Sequence, residues 1–139
     1  MPEINDVLNN VLTTLRHSGL FSAVVFGEDH SRVDMPRAAV RFRSLESHLP
    51  DDTAAGRWIR LTLRLSVRTR RGVDGSEARL DELVAAARGA LLADVTRGGI
   101  CSDLPIGAAT DLGTVSPETG LHGPVVGRVT ELTCHYETE

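Results

Sequence analysis

The densest grouping of side chains capable of acid–base work or metal ligation is Glu28-Asp29-His30, two carboxylates beside an imidazole. A solvated polar loop following a strand is the plainer reading of these residues, and we adopt it. Asp51 and Asp52 are adjacent carboxylates in a turn-rich stretch, where such side chains satisfy local backbone groups. The five histidines, His17, His30, His48, His122 and His135, include no pair four residues apart, and there is no HExxH. All 15 basic residues are arginine, so a phosphate-loop lysine is impossible. No GxSxG elbow is present, and Ser31, Ser44, Ser47 and Ser102 have no identifiable base. Cys101 and Cys134 fall in no CxxC or Cys/His metal spacing. They read as small core thiols of a reducing compartment, with a disulfide between them as the other option. The residues thus nominate no catalytic, cofactor-binding or metal-ligating group.

The feature that rises above this background is a stripe of arginines. In Trp58–Arg70, Ile59, Leu61, Leu63, Leu65 and Val67 alternate with Arg60, Thr62, Arg64, Ser66, Arg68 and Arg70. Strict alternation over this length predicts a half-buried antiparallel strand. A slip of one residue would drive the arginines into the core, which fixes the register. Arg37, Arg41 and Arg43 alternate with Ala38, Val40 and Phe42 on a second segment, 37–44. From Arg32 to Arg71 ten arginines face four acids, a local charge of +6, while the rest has five arginines and fifteen acids, −10. The overall −4 therefore conceals a basic middle between acidic flanks. Such asymmetry bears on partners more than on fold. Arg41, Arg43, Arg60, Arg64, Arg68 and Arg70 are the candidate inter-subunit or lumen contacts. A solvated face with surface ion pairs, each worth ~0–1 kcal/mol, is the plain alternative. Trp58 is the one aromatic beside the stripe, too little for a stacking platform for nucleic acid. A basic face on one copy and an acidic helix or loop on the next would instead make a head-to-tail contact that can close into a ring.

The elements that must hold this stripe are legible in outline. Ile4, Val7, Leu8, Val11, Leu12 and Leu15 recur at helical spacing, predicting an amphipathic helix over about residues 2–18 that ends at Gly19. A short buried strand over 20–26 follows, then a loop. A second helix runs from Ser76, as its cap, with Leu80, Leu83, Val84, Ala87, Leu91 and Leu92 inward, and stops at Gly98-Gly99. Residues 100–124, rich in Gly, Pro, Ser and Asp, read as irregular with short strands near 108–112. In the last segment Leu132, Cys134 and Tyr136 alternate with Glu131, Thr133 and His135, predicting a final strand. This order predicts an α+β fold: an antiparallel or mixed sheet with two helices packed on one face. At 139 residues, 41% apolar and 24% charged, one domain spanning 1–139 is expected. No apolar run approaches a membrane span, and the acidic, polar N-terminus does not read as a signal peptide. If the arginines enter an interface they need carboxylate partners, for which Asp81, Glu82, Asp94 and Glu131 are candidates.

The arrangement resembles the tail-terminator, or tail-completion, proteins of long-tailed bacteriophages and phage-like particles. The resemblance is carried by the opening MPEINDVLNNVLTTLRHSGLFSAVVFGE, the P-x-A-x-V strand Pro36-Arg37-Ala38-Ala39-Val40, the alternating RWIRLTLRLSVRTRRG and the helix SEARLDELVAAARGALLAD. VTRGGICSDLPIGAATDLG and the closing ELTCHYE complete it. It covers nearly the whole chain and contains no catalytic signature. It implies a structural virion protein and not an enzyme: a hexameric ring subunit at the head-proximal end of the tail. That ring caps the tail tube, stops its polymerisation and joins tail to head. The implied partners are further copies of the chain, the tail tube protein and the head–tail connector or neck proteins. Genomic DNA only passes through the lumen, and no membrane and no cofactor are involved. The implied location is the virion, with the host cytoplasm during assembly. A head-completion or connector protein is the alternative within the structural class. A small enzyme built around Glu28, Asp29 and His30 is the alternative outside it.

Overall fold

A long strand with one apolar and one cationic face needs cover on the first and charge compensation on the second. Both are visible in the computed structural model, which describes residues 4–29, 31, 34–48, 57–70, 76–101, 110–118 and 125–138. For His48, Arg57, Trp58, Ser76, Glu137 and Thr138 it describes the backbone alone. The elements are α1 (Ile4–His17), β1 (Ala23–Phe26), β2 (Arg37–His48), β3 (Arg57–Arg70), α2 (Ser76–Leu92), β4 (Thr110–Leu112), β5 (Ser116–Pro117) and β6 (Val125–Thr138). The fold is α+β, with a six-stranded sheet ordered β1-β2-β3-β6-β4 and β5 also paired to β6. It is mixed because β1 runs parallel to β2, whereas the other pairings are antiparallel.

The register places like side chains on like faces. Ala38 and Val40 of β2 lie opposite Val67 and Leu65 of β3. Leu61, Leu63 and Ile59 lie opposite Cys134, Leu132 and Tyr136 of β6. This face is closed by the stripe Val7, Leu8, Val11, Leu12 and Leu15 of α1, and by Leu80, Leu83, Val84, Ala87 and Leu91 of α2, in one continuous apolar cluster. Each fully buried Leu or Val contributes roughly 1.5–3 kcal/mol by leaving water. The opposite face carries Arg37, Arg41, Arg60, Arg64, Arg68 and Arg70.

Several elements differ from the sequence reading for physical reasons. β1 begins at Ala23 rather than Leu20. Gly19 takes φ +72° and the Ser18 hydroxyl accepts the Leu20 N–H at 3.3 Å, so Leu20 and Phe21 belong to a turn that packs on the core. β2 continues to His48 because a bulge between Phe42 and Ser44 resets its alternation. Beyond the bulge Leu45 shares the helix face with Leu61, while Glu46 joins Arg60 on the arginine face. The capping role expected of the Ser76 side chain lies outside the described residues, as do residues 102–109 of the irregular segment.

The second helix ends differently from expectation. α2 stops at Leu92, six residues before Gly98, and the turn that follows folds back on it; Leu92 is exposed and not on the inward stripe, which ends at Leu91. Arg97, at φ +50° and fully buried, is the reason. Its Nε donates to the Asp94 carbonyl at 2.8 Å, and its Nη2 donates to the carbonyls of Leu91 and Asp94. Its Nη1 reaches Thr14 Oγ1 on α1 at 3.4 Å. The guanidinium thus satisfies carbonyls that a helix terminus leaves open and neutralises its negative end. Asp94 serves the same turn, accepting the Gly98 N–H at 2.8 Å and the Thr96 hydroxyl at 3.1 Å.

Cys101 and Cys134 are both free and buried under this turn. The hydrogen bond between the two thiols, reinforced by burial, pushes Cys101 well above the ordinary range. Both thiols should react with an aqueous disulfide reagent only after unfolding, and fast labelling of native protein would contradict this placement. Arg97→Met should lower the unfolding free energy by about 2–4 kcal/mol in a urea titration, because buried carbonyls lose their donor.

Candidate interaction site on the arginine face

Antiparallel pairing sets Arg37 directly across from Arg68, and Arg41 directly across from Arg64. Like charges opposed in this way destabilise a sheet unless something lies between them. The first pair is fully compensated. Arg37 donates Nε and Nη2 to the two carboxylate oxygens of Asp29, at 2.8 and 3.1 Å. Arg68 donates Nε and Nη2 to both oxygens of Glu118, at 3.0 and 2.6 Å, and Nη1 to the Asp29 carbonyl. These are two-pronged guanidinium–carboxylate pairs, the strong kind. Both are largely shielded from water, with side chains 7–8% exposed for Arg37 and Asp29 and 13–15% for Arg68 and Glu118. Burial pushes the Asp29 carboxyl up, but hydrogen bonds from Arg37 and the Ser31 N–H, with the charges of Arg37 and Arg68, hold it below its usual value. The bond to Glu118 raises Arg68 against the opposing effect of burial.

The second pair is compensated on one side only. Arg41 meets Glu28 at 3.3 Å, where both side chains are well exposed. Arg64 lies between Arg41 and, on β6, Glu131. Glu131 is engaged elsewhere: Arg43, displaced by the bulge, reaches across β3 to bond it at 3.0 Å. Arg64 Nε is consequently buried with no hydrogen-bond partner among the described residues. A cleft of about 390 Å³ opens here, walled by Arg41, Arg64, Ser66 and Val129 on the sheet and by Ser116, Pro117 and Glu118 at its side. A smaller recess of about 180 Å³ adjoins it between Arg41, Phe42, Arg43 and Arg64.

The remaining stripe residues do not join this cleft. Arg60 donates to Glu46 at 3.4 Å and, through Nε, to the buried His135 at 3.3 Å. Arg70 is exposed at the end of β3, opposite Val125. Of the proposed carboxylate partners only Glu131 lies on the stripe. Asp81 bonds Arg128 on the helix side at 3.3 Å, Glu82 lies 3.6 Å from Arg79 on the same helix, and Asp94 belongs to the Arg97 turn. Glu28 and Asp29, read from the sequence as part of a solvated polar loop with acid–base chemistry as the alternative, serve here as arginine anchors, and His30 lies outside the described residues. Among the described residues no three His, Cys, Asp or Glu side chains come together to hold a metal ion, and no helix is long and apolar enough to cross a membrane. Glu118, Ser66 and Ser116 were not nominated by sequence. Glu118 in particular sits in a stretch with no periodicity to announce it.

No protein-family model matches the chain, and no curated protein shows significant sequence similarity to it.

The Asp29 anchor carries a pH signature. A carboxyl whose folded value lies below its ordinary 3.8 contributes stability that is present above that pH and lost as pH falls through the lower, folded value. The stability gap between wild type and Asp29→Asn should therefore be constant from neutral pH to about 4 and then narrow, as read by urea titrations across pH. A gap unchanged down to pH 2 would show that Asp29 does not act through its charge.

Proposed function

We propose that this chain is a structural subunit of a tail-terminator ring, capping the head-proximal end of a phage tail tube and joining it to the head. The observation that carries the reading is the two-sidedness of the sheet. One face is closed by both helices in a single apolar cluster, and the other presents an arginine-lined cleft in which Arg64 Nε has no partner among the described residues. A ring subunit needs lateral contacts that close and separate surfaces for tube and connector, and a molecule with unlike faces supplies heterologous contacts. The order of elements agrees with the resemblance in the sequence: a helix, a short strand, two long strands, a second helix, and a last long strand.

A second feature fits the same role. β1 pairs with only Arg37–Val40, so Arg41–His48 of β2 has no partner on that side among the described residues. Phe26, Phe42 and Leu45 lie along this edge, each about half exposed. A free edge with apolar side chains is the kind of surface that associates with another chain. The use of Glu28 and Asp29 as arginine anchors favours this reading over a catalytic one, since both carboxylates are engaged by guanidinium groups.

The test is negative-stain microscopy of the purified chain mixed with tail tubes of its own particle. We expect single caps at one tube end and arrested elongation. A chain that ignores tubes and binds filled heads would replace this reading with a connector. A chain that binds neither would overturn both.

A further inference from the structure

We infer that the Arg64 cleft is the receptor for a carboxylate on the outer face of α2 in a second copy of this chain; the inference rests on the ring reading and names its lateral contact. The three acids nearest the cleft are each engaged by another arginine: Glu28 by Arg41, Glu131 by Arg43 and Glu118 by Arg68. Arg64 alone, with its Nε out of water, is left without an acceptor among the described residues. A buried donor with no partner costs free energy until an acceptor arrives, so the site is poised for one. Its walls specify the acceptor's chemistry. Two guanidinium groups, the hydroxyl-bearing Ser66 and Ser116, and Glu118, whose two carboxylate oxygens are taken by Arg68, line about 390 Å³, a setting for an oxyanion and not for an apolar anchor.

The occupant follows from where the exposed acids lie. Glu77 and Glu82 stand exposed near the start of α2, and α2 covers the opposite face of the sheet. The sheet itself separates them from the cleft of their own chain, so only another copy can bring them there. The contact joins unlike surfaces, back to front, and such contacts propagate into rings or open filaments. Charge complementarity supports the pairing, because the acid excess lies outside the arginine-rich segment.

Three proteins test this by sedimentation equilibrium at low and high salt, with folding checked by circular dichroism: wild type, Arg64→Glu, and the double variant Glu77→Arg/Glu82→Arg. Wild type should self-associate, and salt should weaken it. Each variant alone should associate at least about tenfold more weakly. Mixed in equal amounts, the two should assemble again, because each junction then pairs opposite charges. Folded Arg64→Glu that assembles like wild type, or a mixture that fails to assemble, overturns the contact while leaving tube capping intact. Inorganic phosphate that raises the melting temperature of wild type but not of Arg64→Gln, without self-association, would assign the cleft to a free anion instead. A wild-type chain that never self-associates also overturns the contact, and the tube-capping assay then stands or falls separately.

Discussion

Two arginine pairs opposed across β2 and β3 impose the constraint on which the arginine face depends. The pairing that buries Ala38, Val40, Leu63 and Leu65 also brings Arg37 to Arg68 and Arg41 to Arg64. No register slip relieves this, since it would turn the arginines into the core. Carboxylates must come from outside the strands. The loop after β1 supplies Asp29 and Glu28, and the segment at β5 supplies Glu118. These ion pairs fasten two irregular segments to the sheet, and β5 owes part of its placement on β6 to the Arg68–Glu118 bond beside it. The compensation is graded along the strands: shielded and two-pronged at Arg37 and Arg68, exposed at Arg41, and absent at Arg64 among the described residues.

The helix side is governed by a different balance. Leucine, valine and alanine close the core with few polar groups; Asn10 Oδ1 on α1 is buried without a partner among the described residues, whereas the arginines that reach this layer are bonded. Arg97 serves the end of α2, and Arg88 donates Nη1 to the Gly113 carbonyl at 2.6 Å and to Thr130 Oγ1 at 2.7 Å. Both tether the helix layer to neighbouring segments, because a guanidinium can serve several acceptors at once. Among the described residues arginine thus serves as a helix-end donor, as a tether to a neighbouring carbonyl, in ion pairs both buried and exposed, and at a cleft where Arg64 Nε has no partner.

How much of this was legible in sequence follows from periodicity. Ile59 through Val67, the α1 stripe and the Leu132–Tyr136 alternation each repeat with the period of their element, so strand, helix and inward face could be read directly. The extension of β2 could not, because a bulge breaks the alternation at Phe42–Ser44. Arg97 was hidden because a buried arginine looks like any other arginine in a turn. Glu118 was hidden because its segment has no repeating pattern. The stripe was visible, but which of its members was left without a carboxylate depended on contacts from residues 29, 118 and 131, distant in sequence. Glu28-Asp29 drew attention as chemistry for the same reason it matters structurally: two carboxylates placed just after a strand, beside a cationic sheet.

We propose the arginine face as a subunit–subunit surface in a ring at the tube end. The most direct measurement is a cryo-microscopy reconstruction of a capped tail tube, read for the surroundings of Arg64. The expected result is Arg64 at the boundary between neighbouring subunits, its guanidinium against a carboxylate of the adjacent α2. Arg64 facing an open lumen or outer solvent, with the subunits joined elsewhere, would contradict it.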